Sequence, residues 1–254
     1  MWNTSDLKHR KLKNAPLKEA IFEVRWAPVL DTNGVPEDMG YQLAQGLFAK
    51  GIRGKFPVHK NINTVPEILR VFPVIQHQFW SDELTWPVVQ LGPGILSVNN
   101  TEANYIWSET FRPHILLALD LLEESYEKEF IFKSIALRYI DAIDLNIPLD
   151  GLSDFVGKNL HTQMQNNYKV PGKPQGLSIV QSYGLEDGSV LNIQIHNGVN
   201  QSNRKNSLIW STEVQKSGNL SKEDVIQWLD MAHDVTSDTF VNMLNPDFYD
   251  SFNR

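Results

Sequence analysis

The chain contains no cysteine. That removes disulfide scaffolds, thiolate nucleophiles and thiolate-bound zinc or iron–sulfur clusters, and it fits a reducing compartment. No apolar run approaches the roughly 20 residues that a membrane-spanning helix needs. The opening MWNTSDLKHRKLKN is polar and basic without an apolar stretch, so it does not read as a secretory signal. A cytoplasmic location with no membrane association is the expectation. Positive charge is also short: 23 Lys and Arg stand against 30 Asp and Glu, a net charge of −7. A chain without a basic footprint is a poor binder of phosphate backbones, which disfavours nucleic acid as a partner.

The short catalytic and cofactor signatures are missing as well. Gly92-Pro93-Gly94 has neither the Lys-Ser/Thr of a P-loop nor the spacing of a dinucleotide fingerprint, and it reads as a hairpin turn. No serine sits in a nucleophile-elbow setting. The seven histidines, at 9, 59, 77, 114, 161, 196 and 233, show no HxH, HxxxH or HExxH spacing. No metal site, cofactor or catalytic residue is therefore expected. His233 next to Asp234 reads as a packing or surface histidine on a helix.

With 254 residues, 41% of them hydrophobic, the chain has ample material for one large domain or two closely packed halves. Residues 1–13 form a polar basic tail. KEAIFEVRW then alternates Ala20, Phe22, Val24 and Trp26 with Ile21, Glu23 and Arg25, the period of a half-buried strand. Asp31 to Gly34 is turn chemistry. A helix is predicted over about 36–50, with Pro36 in its first turn and Met39, Leu43, Leu47 and Phe48 as its apolar positions. Strands follow in EILRVFPVI, WPVVQL and ILSVN. A second helix over about 102–126 carries Ile106, Phe111, Ile115, Ala118, Leu119 and Leu122, with a kink or break at Pro113.

FKSIALRYIDAIDLNI, residues 132–147, opens a second round of the same order. Leu152 to Tyr168 reads as a helix capped by Ser153 or Asp154 and burying Phe155, Leu160 and Met164. LSIVQSYGL, VLNIQIH and SLIWSTEVQ read as strands, and Asn197–Asn206 as an exposed, mobile loop. Ser221 with Asp224 opens the last helix with a capping-box variant. The closing Phe248, Tyr249 and Phe252 read as docked on the core. The expectation is an α+β fold of two similar β-α-β-β-β-α halves, 14–128 and 129–254. A mostly antiparallel sheet would carry long helices on one face and leave the other polar and accessible. This order resembles the duplicated fold of the TATA-binding protein, an analogy of fold that carries no function.

In a regular strand, Tyr139 and Asp141 share the apolar face while Arg138 and Asp144 share the other. A bare carboxylate on the apolar face is costly. It needs a partner, unless a bulge near Tyr139 or Ile140 brings Arg138 and Asp141 onto one face as an ion pair. Two roles stay open: Asp141 as a buried polar anchor holding the two halves in register, or ligand recognition by Arg138 and Asp141. The polar face collects Glu23, Arg25, Arg138, Asp144, Asn192, Gln194, His196 and Glu213. From these positions Arg25, Arg138, Asp141, Asp144, Gln194 and His196 are the candidate ligand- or partner-binding residues. Trp80 and Trp86, flanking the polar SDELT, are candidates for an exposed aromatic rim.

LKNAPLKEAIFEVRW, WPVVQLGPGILSVNN, Tyr105-Ile106-Trp107, ALRYIDAIDL and MAHDVTSDTF occur in that order along the chain. Together they resemble a sporadically distributed bacterial family of uncharacterised proteins of this length. The resemblance carries over no functional residue. Through the family's patchy distribution it implies a place in anti-phage defence or a toxin–antitoxin pair. The expected function is recognition of a protein partner encoded nearby, with a homodimer also admitted. The alternative is an enzyme or sensor for a small polar ligand held between the halves near Arg138 and Asp141.

Overall fold

Leu17, Ala20, Phe22, Val24 and Trp26 are all buried, so the alternation in LKEAIFEVRW produces the expected strand, β1 (Leu17–Trp26). It opens a computed structural model that describes residues 12–27, 29–30, 36–38, 40–62, 73–83, 85–101, 103–164 and 167–254. After β1 come β2 (Val29–Leu30), β3 (Pro36–Glu37), α1 (Tyr41–Ile52), β4 (Val58–Asn61), β5 (His77–Asp82), β6 (Thr85–Gly92), β7 (Ile95–Asn100) and α2 (Arg112–Tyr126). The chain continues through β8 (Phe132–Leu145), α3 (Leu152–Asn159), β9 (Ser178–Gly184), β10 (Val190–Val199), β11 (Asn206–Leu220), α4 (Lys222–Met243) and α5 (Pro246–Ser251).

The fold is α+β. Nine strands are hydrogen-bonded in the order β4-β5-β6-β7-β1-β8-β11-β10-β9, and β2 pairs with β3 separately. The pairings with a described register are antiparallel. No helix among the described residues is long and apolar enough to cross a membrane.

Two compact units divide the chain. One comprises Glu19–Leu137 and Gln215–Asp230. The other comprises Met1–Lys18, of which 12–18 are described, with Arg138–Val214 and Met231–Arg254. In the first, α1 packs on α2, and an added Cβ at Gly51 would sit 2.7 Å from the Leu121 side chain, so glycine there permits the close helix approach. Gly92 is under a harder constraint, because a Cβ would lie 1.9 Å from the Val74 carbonyl oxygen. In the second unit, Leu145, Ile195, Leu208 and Trp210 from the strands form one core with Val156, Val241, Tyr249 and Phe252. The C-terminal aromatics are thus docked as expected.

Several boundaries differ from the sequence expectation. The first helix begins at Tyr41, not Pro36. Pro36–Glu37 pairs with Val29–Leu30, and Asp38 is occupied as a hydrogen-bond acceptor, so the chain is committed before the helix starts. Its buried positions are Tyr41, Ala44, Phe48 and Ile52, while Leu43 and Leu47 face solvent. Met39, the turn at 31–34, residues 1–11 of the tail and residues 67–72 of EILRVFPVI lie outside the described residues. Pro73–Gln76 is not a strand, and β4 and β5 supply the pairing instead. The break near Pro113 is real: a π-helical turn at Trp107–Phe111 runs into α2, with the proline in the first α turn, where a missing N–H costs least.

The helix from Leu152 stops at Asn159, and neither Ser153 nor Asp154 caps it. A 3₁₀ turn, Leu149–Gly151, leads straight in. Leu160 is its last buried contact, His161 adopts φ 49°, and Met164 is exposed, so no apolar side chain rewards further turns. The central strand ends at Leu145 rather than Ile147. The capping box of α4 forms, with Ser221 N donating to Asp224 Oδ2 at 2.9 Å and Asp224 N donating to Ser221 Oγ at 3.1 Å.

Candidate functional site

The pleat of β8 puts Tyr139, Asp141 and Leu145 on one side and Arg138 and Asp144 on the other, as period two requires. Arg138 does not meet Asp141. Arg138 pairs across the sheet with Glu213 of β11, its Nε 2.6 Å from Glu213 Oε2 and its Nη2 on the same oxygen. The other carboxylate oxygen of Glu213 accepts from Asn192 Nδ2 at 3.2 Å, and Asn192 Oδ1 accepts from Ser182 Oγ at 2.7 Å. Four neighbouring strands, β8, β11, β10 and β9, are thereby crossed by one chain of polar contacts. The Arg138 side chain is 44% exposed and that of Glu213 12% exposed, so the ladder presents its cationic end to solvent. An ion pair with one partner so exposed contributes under about 1 kcal/mol, and its value is more in position than in stability.

Gln194 and His196 follow Asn192 along β10 on the same face, Gln194 exposed and His196 half-buried with Nδ1 3.3 Å from the Asn197 carbonyl. Asp144, farther along β8, has a plainer task. Its carboxylate accepts from Asn200 Nδ2 at 3.1 Å, Asn203 Nδ2 at 2.6 Å and Ser207 Oγ at 3.0 Å. Those bonds favour the ionised form and pull its pKa down. Residues Asn197–Asn206, expected as a mobile loop, are the end of β10 and a turn tied to Asp144. The local signal of an Asn- and Ser-rich segment could not show that a carboxylate from β8 organises it.

Asp141 is buried on the face that α4 covers, where Tyr139 meets the His233 ring edge-on at 6.4 Å. His233 is buried, with Nδ1 3.6 Å from Asp234 Oδ1. Burial raises the Asp141 pKa from the ordinary 3.8 to about 8, against a smaller opposing pull from Lys18. The group is therefore mostly a neutral carboxyl near pH 7.

Arg25 lies in the other unit, with Nε 2.6 Å from Glu23 Oε1 on its own strand. That unit carries a second polar ladder which the sequence reading missed. Gln78 of β5 donates to Gln90 of β6 at 3.1 Å, Gln90 to Asn99 of β7 at 3.2 Å, and Asn99 to Glu19 of β1 at 2.7 Å. Gln90 within WPVVQL and Asn99 within ILSVNN are polar residues in apolar strands, and that was the available signal. A third constellation, on Asp38, left no such signal. Asp38 Oδ2 accepts from Trp26 Nε1 at 2.9 Å, Tyr126 Oη at 2.7 Å and the Gly94 amide at 3.2 Å. Burial, reinforced by Asp38, holds the Tyr126 hydroxyl well above its usual range.

Trp80, a candidate for an exposed rim, is instead buried, as the alternative of core packing has it, and meets Trp86 edge-on at 5.3 Å, with Lys60 over its ring. His59 Nε2 and His77 Nδ1 stand 2.9 Å apart, so one donates and the other accepts. Among the described residues no group of three or more His, Cys, Asp or Glu could hold a metal. Burial lowers the pKa of both, and His59 lowers that of His77 further. The unfolded chain then binds protons more readily, and stability falls as pH drops below about 6.5 towards the depressed values. His114, lowered by burial and by Lys55, adds to the same limb. Urea denaturation at pH 7.5 and 5.5 should show a smaller acid loss in His59→Gln than in the native chain; an equal loss would assign the limb elsewhere.

No protein-family model matches the sequence, nor does any curated protein sequence. Among solved structures, the di-domain ARO/CYC StfQ from the steffimycin biosynthetic pathway aligns over 89% of this chain and 96% of its own. At 9% identity and a TM-score of 0.21, that likeness establishes neither fold nor function for this chain.

Proposed function

We propose that this chain is a non-enzymatic recognition component that binds another protein through the polar sheet face around Arg138. The supporting observation is the Ser182–Asn192–Glu213–Arg138 ladder. Side chains already tied to one another lose little further freedom on docking. Mixed charge at an accessible surface selects a partner by complementary sign, and the net charge of −7 disfavours nucleic acid in that place. Arg138, Asp144, Gln194 and His196 are the proposed contacts, with Arg25 offering the same chemistry in the other unit. The bacterial family that the sequence resembles supplies the setting, with an effector or toxin encoded beside this chain as partner in anti-phage defence or a toxin–antitoxin pair.

Internal duplication belongs to the same reading. The runs β5-β6-β7-β1 and β9-β10-β11-β8 have the same internal order, and a ladder crosses each. That supports two related β-α-β-β-β-α halves.

The burial of the Asp141 carboxyl among apolar neighbours favours a second reading, a site for a small polar ligand, and one experiment separates the two. The full chain, tagged and co-expressed with the neighbouring gene's product, is expected to retain that product in stoichiometric amount. Arg138→Glu should reduce retention by about tenfold or more with unchanged circular dichroism, while Asp141→Asn leaves it intact. If the chain elutes alone and binds a metabolite that Asp141→Asn releases while Arg138→Ala does not, the second reading replaces the first. Salt-steep DNA binding would overturn both.

A further inference from the structure

Strand β9 ends the nine-stranded sheet, and its only described partner is β10. The outer edge of such a strand presents unpaired N–H and C=O groups, which proteins usually guard with lysine, proline, a bulge or a very short strand. Ser178–Gly184, SIVQSYG, has none of these guards. It is seven residues long, carries no charge, and holds Val180 at 65% and Tyr183 at 46% exposure.

We infer that β9 pairs antiparallel with β9 of a second copy of this chain about a twofold axis at Gln181. That register uses the whole strand. Gln181 faces Gln181, Val180 faces Ser182, and Ile179 faces Tyr183 twice, a β-branched and aromatic pairing of the kind that stabilises neighbouring strands. Ile179 and Tyr183 lie opposite Ile195 and Leu191 of β10, so the second copy extends the apolar side of the sheet on either side of the Gln181 pair. An uncharged strand set against itself meets no like-charge penalty. In sequence the nearest charges to β9 are Lys173 before it and Glu186 and Asp187 after it, so the antiparallel arrangement sets ends of opposite sign toward each other. The self-complementary register selects a second copy over an unrelated peptide.

Analytical ultracentrifugation of the full chain tests this. The native protein is expected to be a dimer that dissociates on dilution. Gln181 is exposed, so its replacement should leave the fold intact by circular dichroism. Gln181→Lys and Gln181→Glu each set like charges face to face on the axis and should weaken the dimer by roughly tenfold or more. Mixing the two variants should restore it. A native chain that stays monomeric throughout the micromolar range overturns the inference. So does a dimer that neither substitution weakens, or two weakened variants whose mixture fails to recover.

Discussion

Replacing Asp141 by asparagine is expected to make the protein progressively more stable than the native chain as pH rises from 4 to 8. The folded-state pKa of Asp141 stands at about 8 against an ordinary 3.8, mainly because burial penalises the charged carboxylate. Between those values the folded chain binds more protons than the unfolded one, so native stability drops as pH increases. Each pH unit in that window costs about 1.4 kcal/mol, and the advantage of the asparagine variant should therefore grow by about 4 kcal/mol between pH 4 and pH 7. Below pH 4 both states are protonated and the group contributes no slope. The check is urea denaturation of both proteins across this range, reading the change in their difference rather than either absolute value. Lys18 pulls the other way, so Lys18→Met should steepen the native loss at high pH. A difference that stays flat with pH would mean that the carboxylate finds in the folded chain what it has in water. The same variant bears on function, since an acid retained at such a cost only for packing could be replaced without loss of partner binding.

The second large effect is expected at Asp38. Asp38→Ala removes the acceptor for Trp26 Nε1, Tyr126 Oη and the Gly94 amide together. A stranded donor costs about 1–3 kcal/mol when water cannot replace the partner, and Tyr126 is only partly buried, so the total should be about 3–5 kcal/mol. Asp38→Asn keeps one acceptor oxygen and should cost less than half of that. Tyr126→Phe removes a single donor and should cost about 1 kcal/mol. The readout is the midpoint of chemical denaturation with its slope unchanged. If alanine and asparagine cost the same, the oxygen is not what matters, and packing of Trp26 against Phe130 and Tyr126 carries the region instead.

Both sites sharpen what the surface ladders are for. Asp141 and Asp38 are strained or saturated acids whose substitution moves stability. Arg138 is a half-exposed cation whose substitution should move stability little, so a binding loss there can be separated from unfolding. That separation lets the recognition reading be tested without ambiguity from a damaged fold.

Residue order alone determined the local features. The alternation in LKEAIFEVRW, VLNIQIH and SLIWSTEVQ placed strands and assigned their faces, because successive side chains on a strand point to opposite sides whatever the tertiary context. The same periodicity put Asp141 on the apolar face, and the Ser221–Asp224 spacing placed the start of α4. Tertiary structure alone decided who meets whom. Arg138 and Glu213 are 75 residues apart, Asn99 and Glu19 80, and Asp38 and Tyr126 88. Periodicity fixes the face a side chain occupies but not the neighbour across the sheet, which depends on strand order. For the same reason the helix expected from Pro36 was misplaced: its boundary is set by the distant donors that Asp38 accepts, and no spacing within the segment records them.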